Sequence, residues 1–160
     1  MRTALSSHAD SPVSKRRPAV DYRRLLVPVD ADPESELAVD YAARLAAEKH
    51  GTIVALAAVE VPLDFPLERP FPAEESHARA ALDCAVAIGD SYGVRVVPKL
   101  VKARSLGQAV LDEAAEDGAE LIVVAAEPRL QRRGGIGLSE TVMQILKHAP
   151  CRVAVAAARR

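Results

Sequence analysis

The chain has 160 residues, of which 49% are hydrophobic and 27% charged, with a formal net charge of −1 at pH 7. This is the composition of one folded domain large enough for a real core, and neither a disordered nor a membrane-spanning chain. Near-neutrality excludes a global field drawing the protein to DNA or an anionic membrane, and two Phe, three Tyr and no Trp argue against a base-stacking nucleic-acid surface.

Residues 1–21 are rich in Ser, Pro and Arg without periodicity, with Arg2, Lys15, Arg16 and Arg17 set against Asp10. They read as a disordered basic tail, leaving 22–160 as the domain. The tail has no apolar h-region of a signal peptide, and no apolar run approaches the ~18 residues of a membrane span.

Arg24 to Val29 forms a short apolar run, predicted as the first strand. Asp32, Pro33, Glu34 and Glu36 supply a cap, a first-turn proline and acids on the positive end of a helix dipole. They predict a helix from Pro33 to about His50, with Leu37, Ala38, Tyr41, Ala42, Leu45 and Ala46 at helical spacing and Gly51 as its stop. Thr52 to Val61 is a second strand. Pro62, Pro66, Pro70 and Pro72 punctuate a connection too broken for regular structure. A helix from about Ala73 to Tyr92 ends at Gly93, and Val94 to Val101 is a third strand. Ser105 opens a helix to about Asp117, stopped by Gly118, and Leu121 to Ala125 is a fourth strand. An Arg- and Gly-rich loop, a short helix from Ser139 to Lys147 and a buried final strand from Val153 to Ala157 complete the chain. Alternating helices and near-continuous apolar strands predict an open parallel α/β sheet with right-handed crossovers, whose ligands bind beyond the strand carboxyl ends.

Two cysteines, Cys84 and Cys151, lie far apart without metal-like spacing, as in a reduced cytoplasmic protein. Cys151 is expected to act as a small apolar residue. His8, His50, His77 and His148 have no nucleophile or carboxylate at catalytic spacing, and His148 suits a helix C-terminus. No catalytic constellation, metal site or Walker loop is present in the sequence.

Asp30, directly after the first strand, sits at the sheet's carboxyl edge. It either accepts from an adenine amine or ribose hydroxyl, or satisfies its own turn amides. Asp30 and Asp32 resemble the acidic pair of a receiver domain. That reading fails because neither the third strand nor the fifth is followed by the Asp and Lys such a site needs. Arg129, Arg132 and Arg133 beside Gly134, Gly135 and Gly137 form either a phosphate clamp or a solvated loop. Ser139 and Thr141 supply a helix cap and hydroxyls, while Glu140 would repel a phosphate placed on the same amides.

Leu25-Leu26-Val27-Pro28-Val29-Asp30, Gly118-Ala119-Glu120-Leu121-Ile122-Val123-Val124 and Leu146-Lys147-His148-Ala149-Pro150-Cys151-Arg152-Val153, in this order, resemble the universal stress protein (UspA-like) family. The resemblance implies a three-layer Rossmann-like fold with a five-stranded parallel sheet ordered 3-2-1-4-5 and helices on both faces. It also implies a homodimer through the Val153–Ala157 edge strand, and a nucleotide cleft to which Val29, Asp30, Ala58, Ala125, Arg129, Arg132, Arg133, Gly135, Gly137, Ser139 and Thr141 map. ATP-binding members of the family carry Gly-x-x-Gly and, later, Gly followed by Ser or Thr. Here those places hold Ala125, Pro128 and Ser139-Glu140, across a shorter loop. A Cβ crowds the phosphate site, a proline lacks an amide donor, and a carboxylate replaces a hydroxyl. The expected function is therefore a cytoplasmic, non-enzymatic binding or regulatory domain without strong ATP binding and with no required cofactor. The alternative is an ATP or other adenine-nucleotide sensor, with weak hydrolysis, that uses a rebuilt Arg/Gly loop. A regulatory protein partner or a transporter is a further expectation; nucleic acid and membrane insertion are not.

Overall fold

The computed structural model describes residues 21–126, 129–130 and 136–157. The tail up to residue 20, and Pro128, Arg132, Arg133, Gly134 and Gly135, lie outside the described residues. The elements in chain order are β1 Arg24–Pro28, α1 Pro33–Lys49, β2 Thr52–Glu60, α2 Pro72–Ser91, β3 Arg95–Ala103, α3 Leu106–Asp117 and β4 Leu121–Ala125. A two-residue ribbon, β5 Arg129–Leu130 against β6 Ile136–Gly137, precedes α4 Glu140–His148 and β7 Arg152–Ala156. The Arg/Gly stretch read as a loop thus has paired strands at its two ends.

The five long strands form one parallel sheet in the order β3-β2-β1-β4-β7, the 3-2-1-4-5 order expected of the Rossmann-like architecture. Side chains alternate across each central strand. Leu25, Val27, Ile53, Ala55, Leu121 and Val123 join a core under α1 and α2. Leu26, Val54, Leu56, Ile122 and Val124 join a second under α3 and α4. Both faces are covered, which is why these strands read as unbroken apolar runs rather than alternating ones. In α4, Ile145 is fully buried; removing such a side chain from water stabilises by about 1.5–3 kcal/mol.

The two neighbours of β1 pair with it unequally. Against β2 it stays in register from Arg24 to Pro28, but against β4 only at Leu25 and Leu26. Beyond Ile122 the remaining residues of β4 pair with β7 alone. The sheet therefore splits between β1 and β4 toward its carboxyl end, where strand order reverses.

Helix ends follow the sequence closely, with one exception. Asp32 caps α1 by accepting from the Ser35 amide at 2.6 Å. The left-handed residue ending α1 is His50 at φ 53°, not Gly51. Gly51 is needed for a different reason: a Cβ there would lie 2.9 Å from the Tyr22 carbonyl oxygen. The buried stripe of α1 also differs from the expected one. Ser35, Ala38, Val39, Ala42, Ala43 and Ala46 face the sheet, whereas Leu37 and Tyr41 are 43% and 46% exposed. Alanine lets the helix lie close to the strands and turns the larger side chains outward. Likewise β7, expected to be buried, is only half-buried because it lies at the sheet edge.

Gly89 lets α2 approach β3. Helix propensity alone favours Ala there by about 1 kcal/mol. A Cβ, though, would collide with the Val96 side chain and stand 3.0 Å from the Val94 carbonyl oxygen, and overpacking costs about 1–3 kcal/mol. Gly89→Ala is expected to lower the urea midpoint of unfolding; a raised midpoint would show that β3 yields to the extra carbon.

Candidate functional site

Three helix N-termini and the carboxyl ends of β1, β2 and β4 converge where the sheet splits. Two depressions occupy this rim, about 300 Å³ between β1 and β4 and about 630 Å³ between β2 and α2. Asp30 and Leu106 line both. Val29, Asp30, Ala125, Ser139 and Thr141 meet in the first, together with Ser35 and Val142. Ala58 lines the second, with Glu60, Glu74 and His77. Arg129 and Gly137 belong to the ribbon.

Local hydrogen bonding fixes the position of Asp30. Its amide donates to Ser35 Oγ at 3.0 Å, and the buried Ser35 is itself held by the Asp32 cap. Its Oδ1 accepts from the Ala31 amide at 2.8 Å, the turn contact anticipated from sequence, and from His77 Nε2 at 3.0 Å. The other helix ends are likewise occupied by the chain's own groups. Glu60 Oε1 accepts from the Leu106 amide at 2.9 Å at the start of α3, beside the Ser105 cap. Ser139 Oγ accepts from the Val142 amide at 3.2 Å at the start of α4. Asp30, Asp32 and Glu34 on one depression, and Glu60 and Glu74 on the other, make these walls acidic. His77, Glu60 and Leu106 did not stand out in the sequence, because only the crossovers bring them beside Asp30.

A smaller pocket between α1 and α2 is bordered by Cys84, whose Sγ lies 3.4 Å from Glu36 Oε1. Burial, and then that carboxylate, push its thiol above the ordinary value. Cys151 is shifted upward by burial as well, so both are poor nucleophiles. Among the described residues no cluster of His, Cys, Asp or Glu could hold a metal ion. None of the described helices is long and apolar enough to cross a membrane.

The proline-rich connection has no regular structure, yet Arg104 ties it down. Its Nη1 lies 3.2, 2.5 and 2.8 Å from the carbonyls of Val61, Pro62 and Phe65. The Arg69 guanidinium sits 3.9 Å over the Phe65 ring, and Lys102 donates to the Arg69 carbonyl at 2.9 Å. Lys102 also pairs with Glu75, which accepts from the Phe71 amide. These contacts, led by the Lys102 hydrogen bond, hold the Glu75 carboxyl below its ordinary range.

An open, doubly covered parallel sheet with a cleft at its switch point defines a Rossmann-like α/β domain. The model of the universal stress protein family matches residues 21–157, and the chain belongs to that family. A universal stress protein from Burkholderia pseudomallei is 27% identical and superposes with a TM-score of 0.68, covering 88% of this chain and 100% of its own. The Archaeoglobus fulgidus protein in complex with dAMP superposes at 0.65 with 19% identity, over 85% of this chain and 98% of that one. A family member from Arabidopsis thaliana with AMP bound superposes at 0.63 with 15% identity, over 85% and 92% respectively. Comparison with curated proteins finds no match.

Arg104→Ala should free the connection while leaving the sheet intact. Hydrogen bonds to a charged donor are worth about 1.5–3 kcal/mol. Amide exchange at Phe65 and Arg69 is therefore expected to accelerate about tenfold, with the β1 and β4 amides unchanged; equal acceleration throughout would mean that Arg104 supports the whole fold.

Proposed function

We propose that the protein is a regulatory binding domain whose rim cleft takes the adenosine part of an adenine nucleotide, with little affinity contributed by the phosphates, and that it performs no catalysis. The observation that carries this reading is Asp30. It stands at the switch point, held by Ser35 and shared by both depressions. The AMP and dAMP found in relatives of the same fold support a purine nucleotide as the ligand class. Ala125 in place of glycine, and protein groups already bonded to the N-termini of α1, α3 and α4, argue against a tight triphosphate cradle. The cytoplasm, with its reducing conditions, suits the two free thiols.

Competition against a fluorescent ATP analogue with Mg²⁺ tests this reading. ATP, ADP and AMP are expected to compete within a few-fold of one another, and Asp30→Ala to weaken all three about tenfold, as for loss of a hydrogen bond to a charged group. Preference for ATP by more than tenfold would instead make the Arg129–Arg133 stretch a working phosphate cradle. No saturable binding at millimolar concentrations would overturn nucleotide recognition.

The same reading includes a homodimer through β7, an apolar edge strand. Val155 is 39% exposed and shares a groove with Leu37, Tyr41 and Ala156. The opposite edge, β3, instead carries Arg95, Lys99 and Lys102, charges that discourage strand pairing. Light scattering at tens of micromolar should give the mass of a dimer for the wild type and of a monomer for Val155→Asp. A wild-type monomer would refute the interface.

A further inference from the structure

The contact between His77 and Asp30 joins two walls of the cleft that are 47 residues apart in sequence. His77 projects from the second turn of α2, its side chain 59% exposed, and lines the larger depression beside Ala58 and Glu60. Asp30 Oδ1 receives two donors, the Ala31 amide and His77 Nε2, from different directions along the chain. Among the described residues Oδ2 accepts no hydrogen bond. A carboxylate pinned through one oxygen cannot rotate freely about its terminal torsion, so the other oxygen is presented in one direction. A group so oriented binds a donor more tightly than a rotating one, because less freedom is lost on contact.

We propose that His77 is a positioning residue of the ligand site: it holds the Asp30 carboxylate so that Oδ2 faces the amine or hydroxyl donor of a bound nucleoside. This rests on the nucleotide reading above and adds to it the residue that orients the recognition group. An exposed pair of this kind contributes little to folding, so its effect belongs in affinity rather than stability.

The test uses AMP, followed to tens of millimolar by protein NMR, with the ring ¹H–¹⁵N correlations of His77 as a second readout. Without AMP, Asp30→Asn should move the His77 ring signals; unmoved signals would overturn the contact itself. His77→Ala should weaken AMP binding about threefold, the scale of one exposed charged hydrogen bond, with the thermal midpoint unchanged. His77→Gln, which keeps an N–H donor, should recover part of the loss. In the Asp30→Ala background, which has no oxygen to accept from either donor, His77→Ala should cost nothing further, because its effect passes through Asp30. An unchanged or tighter His77→Ala curve, or an undiminished loss in the Asp30→Ala background, would overturn the positioning role alone. Failure of the wild type to saturate would overturn the nucleotide reading, and this inference with it.

Discussion

The unequal pairing of β1 is the constraint from which the site follows. Its backbone is satisfied along its full length by β2, but by β4 only at Leu25 and Leu26. Past that point β4 continues with β7. Two backbones that stop sharing hydrogen bonds must separate, and here they separate at the carboxyl rim, where the following helices begin. Val29 remains tied to β2 through its amide and the Leu56 carbonyl. Asp30 is therefore delivered to the lip of the opening by a strand that cannot shift.

Packing against the sheet sets what lies outside it. The alanine face of α1 keeps that helix close to β1 and β4 and leaves Leu37 and Tyr41 exposed next to β7. One substitution pattern thus serves two ends, a thin interlayer and an apolar margin along one edge of the sheet. The second face is held differently, by Val110, Val142 and Ile145 from α3 and α4. Across α1 and α2, Tyr92 donates to Asp40, which also pairs with Arg44. The tyrosine hydroxyl is the main reason the Asp40 carboxyl lies below its ordinary range.

At the cleft, the helix ends are occupied by the chain's own capping groups. Asp32, Ser105, Glu60 and Ser139 satisfy amides that a bound phosphate would otherwise use. The ordered connection after β2, gathered around Arg104 and Arg69, packs against the start of α2 and so steadies the wall that carries His77. Among the described residues the rim thus presents a carboxylate held by its own turn amide and by His77, beside helix ends already bonded to the chain's own groups.

Strand and helix order, the parallel sheet, the Asp32 cap and the stops at Gly93 and Gly118 were all legible in the sequence, because each rests on local patterning or on a backbone need of a single residue. So was the family, through short motifs in a set order. Asp30 and Ser139 were legible as rim residues because a residue just past a parallel strand, or just ahead of the next helix, lies at the carboxyl edge, whereas Val29 and Ala125 came through the family resemblance. What the sequence did not disclose depends on which surfaces meet. Leu37 and Tyr41 follow a helical period as well as the buried alanines do; only docking on the sheet separates the two stripes. His50, rather than Gly51, takes the left-handed turn, and what requires glycine at 51 is the distant Tyr22 carbonyl, which leaves no room for a Cβ there. His77 was one histidine among four with no chemical neighbour in sequence, and its partner is set by a crossover that returns α2 to the carboxyl rim. Local order was written in residue periodicity; the pairing of distant side chains was decided by the right-handed path of the chain between parallel strands.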